Sequence, residues 1–366
     1  MLLNREPYKT AFKVFTFLGF WDEISIVQRR WTFKLPIFLI FVLVLMAFTS
    51  FFQARDFHDA LISLATLPIL TVIIFSIFDF LYKKEQLKKF LVLVDEIESE
   101  NPDVSVYIDK ACKLNTLIYL VVLVVLILTY LTYAIIPLII HKLTFPIYLH
   151  EKFDDSFLVF YGIWFIQTLI GMYSTLTLYI FFEFRNSLLV LITHIMRYYR
   201  YKLSNLSSII VDQKARMELI KCIKLHLQIK ELIKLFMEVF SVALYVLLTM
   251  NALTIVSVVY VLINSSHGNQ AFVLCLAATS LCHIFIPCIH GSNIESESEK
   301  LSYSLFSSDW TNSDIKYQKM MIIVMENLKQ SLRLRAFGLS EINLEFFVQT
   351  LNTAYSMYAV LNSISS

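Results

Sequence analysis

Seven apolar runs, each of bilayer length, constrain this 366-residue chain more than any other feature. They fall at about residues 35–53, 60–81, 116–140, 157–182, 236–262, 270–290 and 344–364. A helix rises about 1.5 Å per residue and the hydrocarbon core is about 30 Å thick, so roughly 20 residues make one crossing. Charged residues are 16% of the chain, against roughly 25% in soluble domains. Mean hydropathy is +0.66. These values predict an all-α, seven-transmembrane helical protein and exclude a soluble enzyme. Prolines 36, 68, 137 and 287 lie within or at the ends of the runs, where neighbouring helices tolerate a kink.

Orientation follows from Lys and Arg, which favour the cytoplasmic side. Of the 31, 28 fall in residues 1–34, 82–115, 183–235 and 291–343. Arg55, Lys142 and Lys152 are the three on the opposite side. With seven crossings, this bias puts the N-terminus in the cytoplasm and the C-terminus outside. That is opposite to the G-protein-coupled receptors, whose Asp-Arg-Tyr and Asn-Pro-x-x-Tyr motifs are also missing. The first apolar run begins near Leu35, later than a cleaved secretory signal. Residues 1–34 mix Arg5, Lys9, Lys13, Arg29, Arg30 and Lys34 with Phe12, Phe15, Trp21 and Trp31, the pattern of an interfacial helix lying on a membrane face.

The external connections are short, and the cytoplasmic ones are long and helically patterned. Over 213–240 the apolar residues Leu219, Cys222, Leu232 and Phe236 recur among Lys and Glu. Residues 315–336 repeat the pattern with Ile315, Met320, Ile323, Leu328 and Leu332. Both are predicted to be helices that extend below the membrane into a packed bundle suited to holding subunits together. The chain therefore divides into 1–290, an interfacial segment with six spans, and 291–366, an anchor helix with the last span. Of two glycosylation sequons, at Asn205 and Asn264, this topology leaves only Asn264 outside.

No motif for catalysis, phosphate binding or metal ligation occurs, and the histidines are scattered, so no catalytic residue, metal or cofactor is expected. No carboxylate or lysine lies mid-span, as a proton-coupled transporter requires. Asp79 and Lys83 read as an i,i+4 helical ion pair. Nothing in the charge distribution points to nucleic acid. What remains is small-molecule binding coupled to conduction. Thr66, Tyr130, Tyr133, Tyr161, Trp164, Phe165, Thr168 and Tyr260 lie in the outer halves of spans two to six. Such a lining suits a small volatile, apolar ligand held by shape and dispersion, and equally an interfacial aromatic belt.

The last run is too polar for a helix surrounded by lipid: Gln349, Thr350, Asn352, Thr353, Ser356, Asn362 and Ser363 interrupt it. Thr353, Met357, Val360 and Ile364 share one face, and rings of Val360 and Ile364 around an axis would form an apolar constriction that gates by dewetting. One copy cannot enclose a pore, so this reading requires an oligomer. Asn343 is placed to cap the helix. Glu341 and Glu345 either supply carboxylates at the inner mouth or serve the cap and helix dipole alone.

From Gly291 onward the chain resembles the insect odorant receptors. The pieces are Glu297-Ser298-Glu299-Lys300-Leu301, Trp310, a basic helix ending Arg333-Leu334-Arg335-Ala336-Phe337-Gly338, Asn343-Leu344-Glu345-Phe346-Phe347, and Ala354-Tyr355-Ser356-Met357-Tyr358-Ala359-Val360-Leu361. The resemblance implies an odorant-gated, non-selective cation channel in the plasma membrane of olfactory sensory neurons, working as a heterotetramer with a shared co-receptor. It implies that the last helix lines the pore, with the apolar gate on Val360 and Ile364, and that the preceding cytoplasmic helices anchor the tetramer. The gustatory relatives carry Thr-Tyr…Gln-Phe in this helix. Here Ala354-Tyr355 precedes Val360-Leu361, which favours the odorant branch. Residues 183–235 are too short for the co-receptor's insertion, so the chain resembles a ligand-specific tuning subunit. A receptor that signals through a cytoplasmic partner, with no pore of its own, is the alternative.

Overall fold

The computed structural model describes residues 2, 5–6, 8–17 and 21, scattered positions from 38 to 52, and then 57–140, 157–206, 212–264, 270–308 and 310–365. Among these residues the fold is all-α apart from one small hairpin. In chain order come α1 (Tyr8–Phe17), α2 (Phe57–Tyr82), α3 (Lys84–Glu100), α4 (Val104–Ile140), α5 (Phe157–Ser204), α6 (Asp212–Asn264), α7 (Gln270–Phe306) and α8 (Ile315–Leu328). The hairpin strands β1 (Arg335–Ala336) and β2 (Ser340–Glu341) then lead into α9 (Leu344–Ser365).

Six of the seven expected crossings coincide with helices. The first, 35–53, lies mostly outside the described residues. Among the described residues, four helices are long and apolar enough to cross a membrane: Val104–Ile139, Leu158–Ser204, Ala215–Val261 and Val273–Phe306. At 48 and 53 residues, α5 and α6 run for about 70–80 Å, more than twice the hydrocarbon thickness. Apolar packing continues along the excess length. Leu188, Leu191, Ile195 and Tyr199 of α5 are fully buried, as are Leu219, Leu232 and Phe236 of α6 and Ile294 and Leu301 of α7. Each such side chain contributes about 1.5–3 kcal/mol by leaving water, so the extension is a second half of the core. By contrast, α4 exposes Leu117, Val121, Val124, Leu128 and Leu131, an outer face suited to lipid.

Asp79 does more than pair with Lys83 (3.0 Å). It is 1% exposed, and its Oδ2 accepts from the backbone N–H of Ala243 at 2.9 Å. Lys83 Nζ donates to the carbonyl of Val239, four residues earlier, at 3.5 Å. The ion pair thus clamps α2 to α6 at the α6 backbone itself.

Two expectations change. The described part of residues 1–34 is amphipathic, but its apolar face meets protein. Phe15 is fully buried against Phe80 and Phe181, and Phe12 packs on Phe184 at 5.3 Å. Tyr8 donates to the carbonyl of Ser187 at 2.9 Å, and Arg5 pairs with Glu98 and Asp109. Aromatic residues among bases fit a bundle face as well as a headgroup layer, and composition alone does not separate the two. The helix expected over 315–336 stops at Leu328. The basic stretch after it is a connector and hairpin, turned by Phe337 (φ 51°) and Gly338 (φ 71°) in the left-handed region. A helix cannot continue through two such residues.

Candidate functional site

The hairpin exists to seat the last helix. Leu334, Ala336 and Ile342 are buried in the core, and the backbone N–H of Leu332 donates to Ser298 Oγ on α7 at 2.8 Å. The N–H of Phe337 donates to Ser241 Oγ on α6 at 2.6 Å. Glu341 holds the strands together by accepting from Arg333 at 3.1 Å and Arg335 at 2.9 Å, while Arg333 also reaches Glu295 on α7 at 2.8 Å. The two guanidiniums, Arg335 first, keep the Glu341 carboxyl below the usual carboxylate range. Gly291 of α7 faces the carbonyl of Ile342 so closely that a Cβ there would lie 1.8 Å from the oxygen. One residue on, Ser292 Oγ accepts from the N–H of Leu344 at 2.8 Å.

Asn343 Oδ1 then accepts from the N–H of Phe346 at 3.0 Å, the expected cap. Asn343→Ala should cost about 1 kcal/mol and lower the Tm of the detergent-solubilised protein, while Asn343→Asp should retain it. An unchanged Tm in the alanine variant would mean that the Ser292 bond and the packing of Phe346 and Phe347 hold this helix end without the cap.

α9 is two-faced. Phe346, Phe347, Thr350 and Ala354 turn toward α6 and α7, with Phe347 against Phe285 at 5.3 Å. Thr350 is 8% and Ala354 4% exposed. Thr353, Met357 and Val360 lie on the uncovered side, with Met357 at 46% and Val360 at 57%. The side chain of Ile364 lies outside the described residues. Glu345 is exposed and accepts from Gln349 at 3.2 Å.

The expected ligand residues gather only in part, along the contact between α4 and α5. The Tyr130 and Tyr133 rings lie 6.5 Å apart. Tyr130 donates to the carbonyl of Thr168 (3.4 Å), Tyr133 to that of Gln167 (3.3 Å), and Trp164 Nε1 to that of Ala134 (2.9 Å). Tyr161 stands 6.5 Å from Trp164. Tyr260 belongs to a small buried cluster with Val258, Val261, Val273 and Leu276, against which Tyr133 packs. Phe165 points away, 56% exposed. The side chains of Thr66 and Asn264 lie outside the described residues, Asn264 being the last residue of α6. A cavity of about 210 Å³ between α4 and α5 includes Tyr130, Leu126, Met172, Thr175 and Tyr179.

Sequence reasoning missed several members of this region. Gly171 lets the Tyr133 ring approach to 2.8 Å of where a Cβ would be. Thr129 and Thr279 share a hydroxyl–hydroxyl bond of 2.8 Å that ties α4 to α7. Gln167 is 3% exposed. A glycine or hydroxyl inside an apolar run was the available signal, but neither reveals its partner helix. Among the described residues no group of three or more His, Cys, Asp or Glu is placed to hold a metal ion.

Comparison with known proteins follows the same lines. The 7tm Odorant receptor family matches residues 56–355. Odorant receptor 94a of Drosophila melanogaster is 27% identical over 104 residues, which is 28% of this chain and 27% of that protein. Odorant receptor 33a of the same species is 32% identical over 83 residues, 23% and 22% respectively. Odorant receptor 46a, isoform B, is 27% identical over 164 residues, 42% of each. The chain thus aligns with about a quarter to two fifths of these relatives' length. The solved insect olfactory receptor OR5 from Machilis hrabei, in complex with eugenol, superposes with a TM-score of 0.84 over 97% of both chains at 12% identity. A second structure of that receptor gives 0.84 at 13% identity over 96% of both chains. At such identity the likeness concerns the fold.

Proposed function

The chain belongs to the 7tm Odorant receptor family, and on that premise we propose that it is the ligand-specific tuning subunit of an odorant-gated, non-selective cation channel. Membership makes it a multi-pass membrane protein of a receptor family and not an enzyme. In the proposed assembly it joins a shared co-receptor in a heterotetramer, in the plasma membrane of olfactory sensory neurons, with its N-terminus inside and its C-terminus outside. A small volatile, apolar ligand binds in the outer half of the bundle, among Tyr130, Tyr133, Trp164 and Tyr260. Thr353, Met357, Val360 and Ile364 line the pore, and Glu341 and Glu345 lie toward its inner end.

The observation that carries this reading is the two-faced last helix. One side is fastened to α6 and α7, and the side bearing Thr353, Met357 and Val360 is uncovered in the single chain. An amphipathic helix in an apolar bundle needs a polar or aqueous neighbour on its polar side, and a shared pore supplies one. Glu341 contributes less free charge there than its position suggests, because Arg333 and Arg335 engage it.

The test is current. The chain is expressed with and without a co-receptor and recorded in excised patches bathed in nucleotide-free solution. Odorant-evoked current is expected to persist in the co-expressing patches. Current that vanishes on excision would transfer the function to a receptor acting through a soluble cytoplasmic partner.

A further inference from the structure

A second cavity, of about 300 Å³, lies between α1, α4 and α5, away from the aromatic residues considered above. Its wall is mostly apolar, supplied by Ala11, Val14, Tyr119, Leu120, Ile180 and Phe184. Two carboxylates line it, Glu6 at the exposed rim and Glu183 at the buried side, and among the described lining residues there is no base. Glu183 is 8% exposed, and its Oε1 has no hydrogen-bond partner. The polar groups beside it are already engaged. Asn115 and Tyr8 both donate to the carbonyl of Ser187, and Thr116 donates to that of Cys112. Arg185, two residues away on the same helix and itself buried, lies over the Phe182 ring; its charge acts on Glu183 through space without a direct contact. No ion pair within 4.0 Å joins Glu183 to it.

A carboxylate oxygen held out of water without a hydrogen bond is costly, and a distant guanidinium does not replace one, so the group either binds a proton or takes a cation in direct contact. An apolar chamber with one such group at its buried side fits a ligand with a cationic head and an apolar body. At about 30 Å³ per water-sized group, the volume accommodates about ten non-hydrogen atoms. We propose that this cavity is a binding site for a small amphipathic monoamine, with its ammonium on Glu183 and its hydrocarbon body against Tyr119, Leu120, Ile180 and Phe184. The placement is independent of the channel reading. Only its access from the cytoplasmic side rests on the orientation proposed above.

Phenylpropylamine has the right size, and phenylpropanol is its neutral isostere. Binding of radiolabelled phenylpropylamine to the full chain in nanodiscs is expected to saturate at one site per chain and to be displaced on the order of tenfold more weakly by phenylpropanol. Glu183→Gln should abolish it. Because a change at a buried acid can disturb folding, Thr116→Trp provides the second variant. Thr116 is exposed on the cavity rim, so an indole there should block entry while leaving the core intact. Equal displacement by the alcohol would show a protonated Glu183 and overturn the proposal, as would undiminished binding in Thr116→Trp. No current is measured, so failure here leaves the channel reading untouched, and loss of current elsewhere leaves this one.

Discussion

Gly291→Ala is expected to abolish odorant-evoked current while the protein still reaches the cell surface. The added Cβ would sit 1.8 Å from the carbonyl oxygen of Ile342 and 2.9 Å from its carbon. A Cβ has no rotamer by which to escape, so α7 and the backbone at Ile342 must separate by about 2 Å to reach ordinary contact. Overpacking of this kind costs about 1–3 kcal/mol, tolerable for a core that continues through both halves of the bundle. The local consequence is larger, because the next residue on α7, Ser292, accepts the hydrogen bond from Leu344 that seats the start of α9. A helix displaced at its root cannot keep its register along the proposed pore. Gly162→Ala is the matched control, since a Cβ there meets nothing within 4 Å. Surface biotinylation together with current from cells co-expressing the co-receptor checks both halves of the expectation. Wild-type current in Gly291→Ala would mean that the Ile342 contact does not position the pore helix.

The fold was legible because apolar burial with a helical period does most to determine it. Runs of bilayer length predicted the helices, and the stripe through Leu219, Leu232 and Phe236 predicted that α6 continues as a packed element. Where the reading failed, local composition was degenerate. The apolar stripe of residues 315–336 fits a helix until Phe337 and Gly338 are seen with positive φ, and a Phe-Gly pair alone does not announce two left-handed residues. The aromatic residues of α1 fitted a headgroup layer because nothing in the sequence names Phe80, Phe181 and Phe184 as their neighbours.

The candidate site was legible to the extent that it is one-dimensional. The Thr353, Met357 and Val360 face follows from helical spacing within one element, and the structure leaves that face uncovered. The aromatic residues are different, since a pocket depends on which rotation each helix adopts against its neighbours. Phe165 and Trp164 are adjacent in sequence, yet Phe165 points outward while Trp164 Nε1 bonds across to α4. Composition has no means of ranking those two rotations. Gly171 shows the converse, a residue with no chemistry of its own whose missing side chain decides where the Tyr133 ring lies.

Val360→Ser is expected to raise basal current several-fold, or to change ion permeability, without altering expression. Val360 is 57% exposed in the single chain, so its replacement removes little packing and belongs with surface changes worth within about 0.5 kcal/mol. Any effect on conduction therefore reports what the residue faces in the assembly, not whether the chain folds. A ring of valines excludes water because the confined column loses hydrogen bonds it cannot replace on an apolar wall; a hydroxyl restores them and lowers the barrier to wetting. Val348→Ser separates this from a general loosening of α9. Val348 is 52% exposed on the same helix, but twelve residues earlier, which turns it about 120° from Val360. Thr353, seven residues before Val360, stays within about 20° of it. Leak in Val360→Ser but not in Val348→Ser would identify the Thr353–Val360 face as the wetted one. Equal leak in both would point to a loosened helix, and unchanged conduction in Val360→Ser would assign the constriction to the partner subunits. Thr350 and Ala354 fasten a side of α9 that lies about 80–120° round the helix from Val360, and Val348 is uncovered as well, so the two variants sample two edges of one broad uncovered surface and the leak decides which edge turns toward the axis.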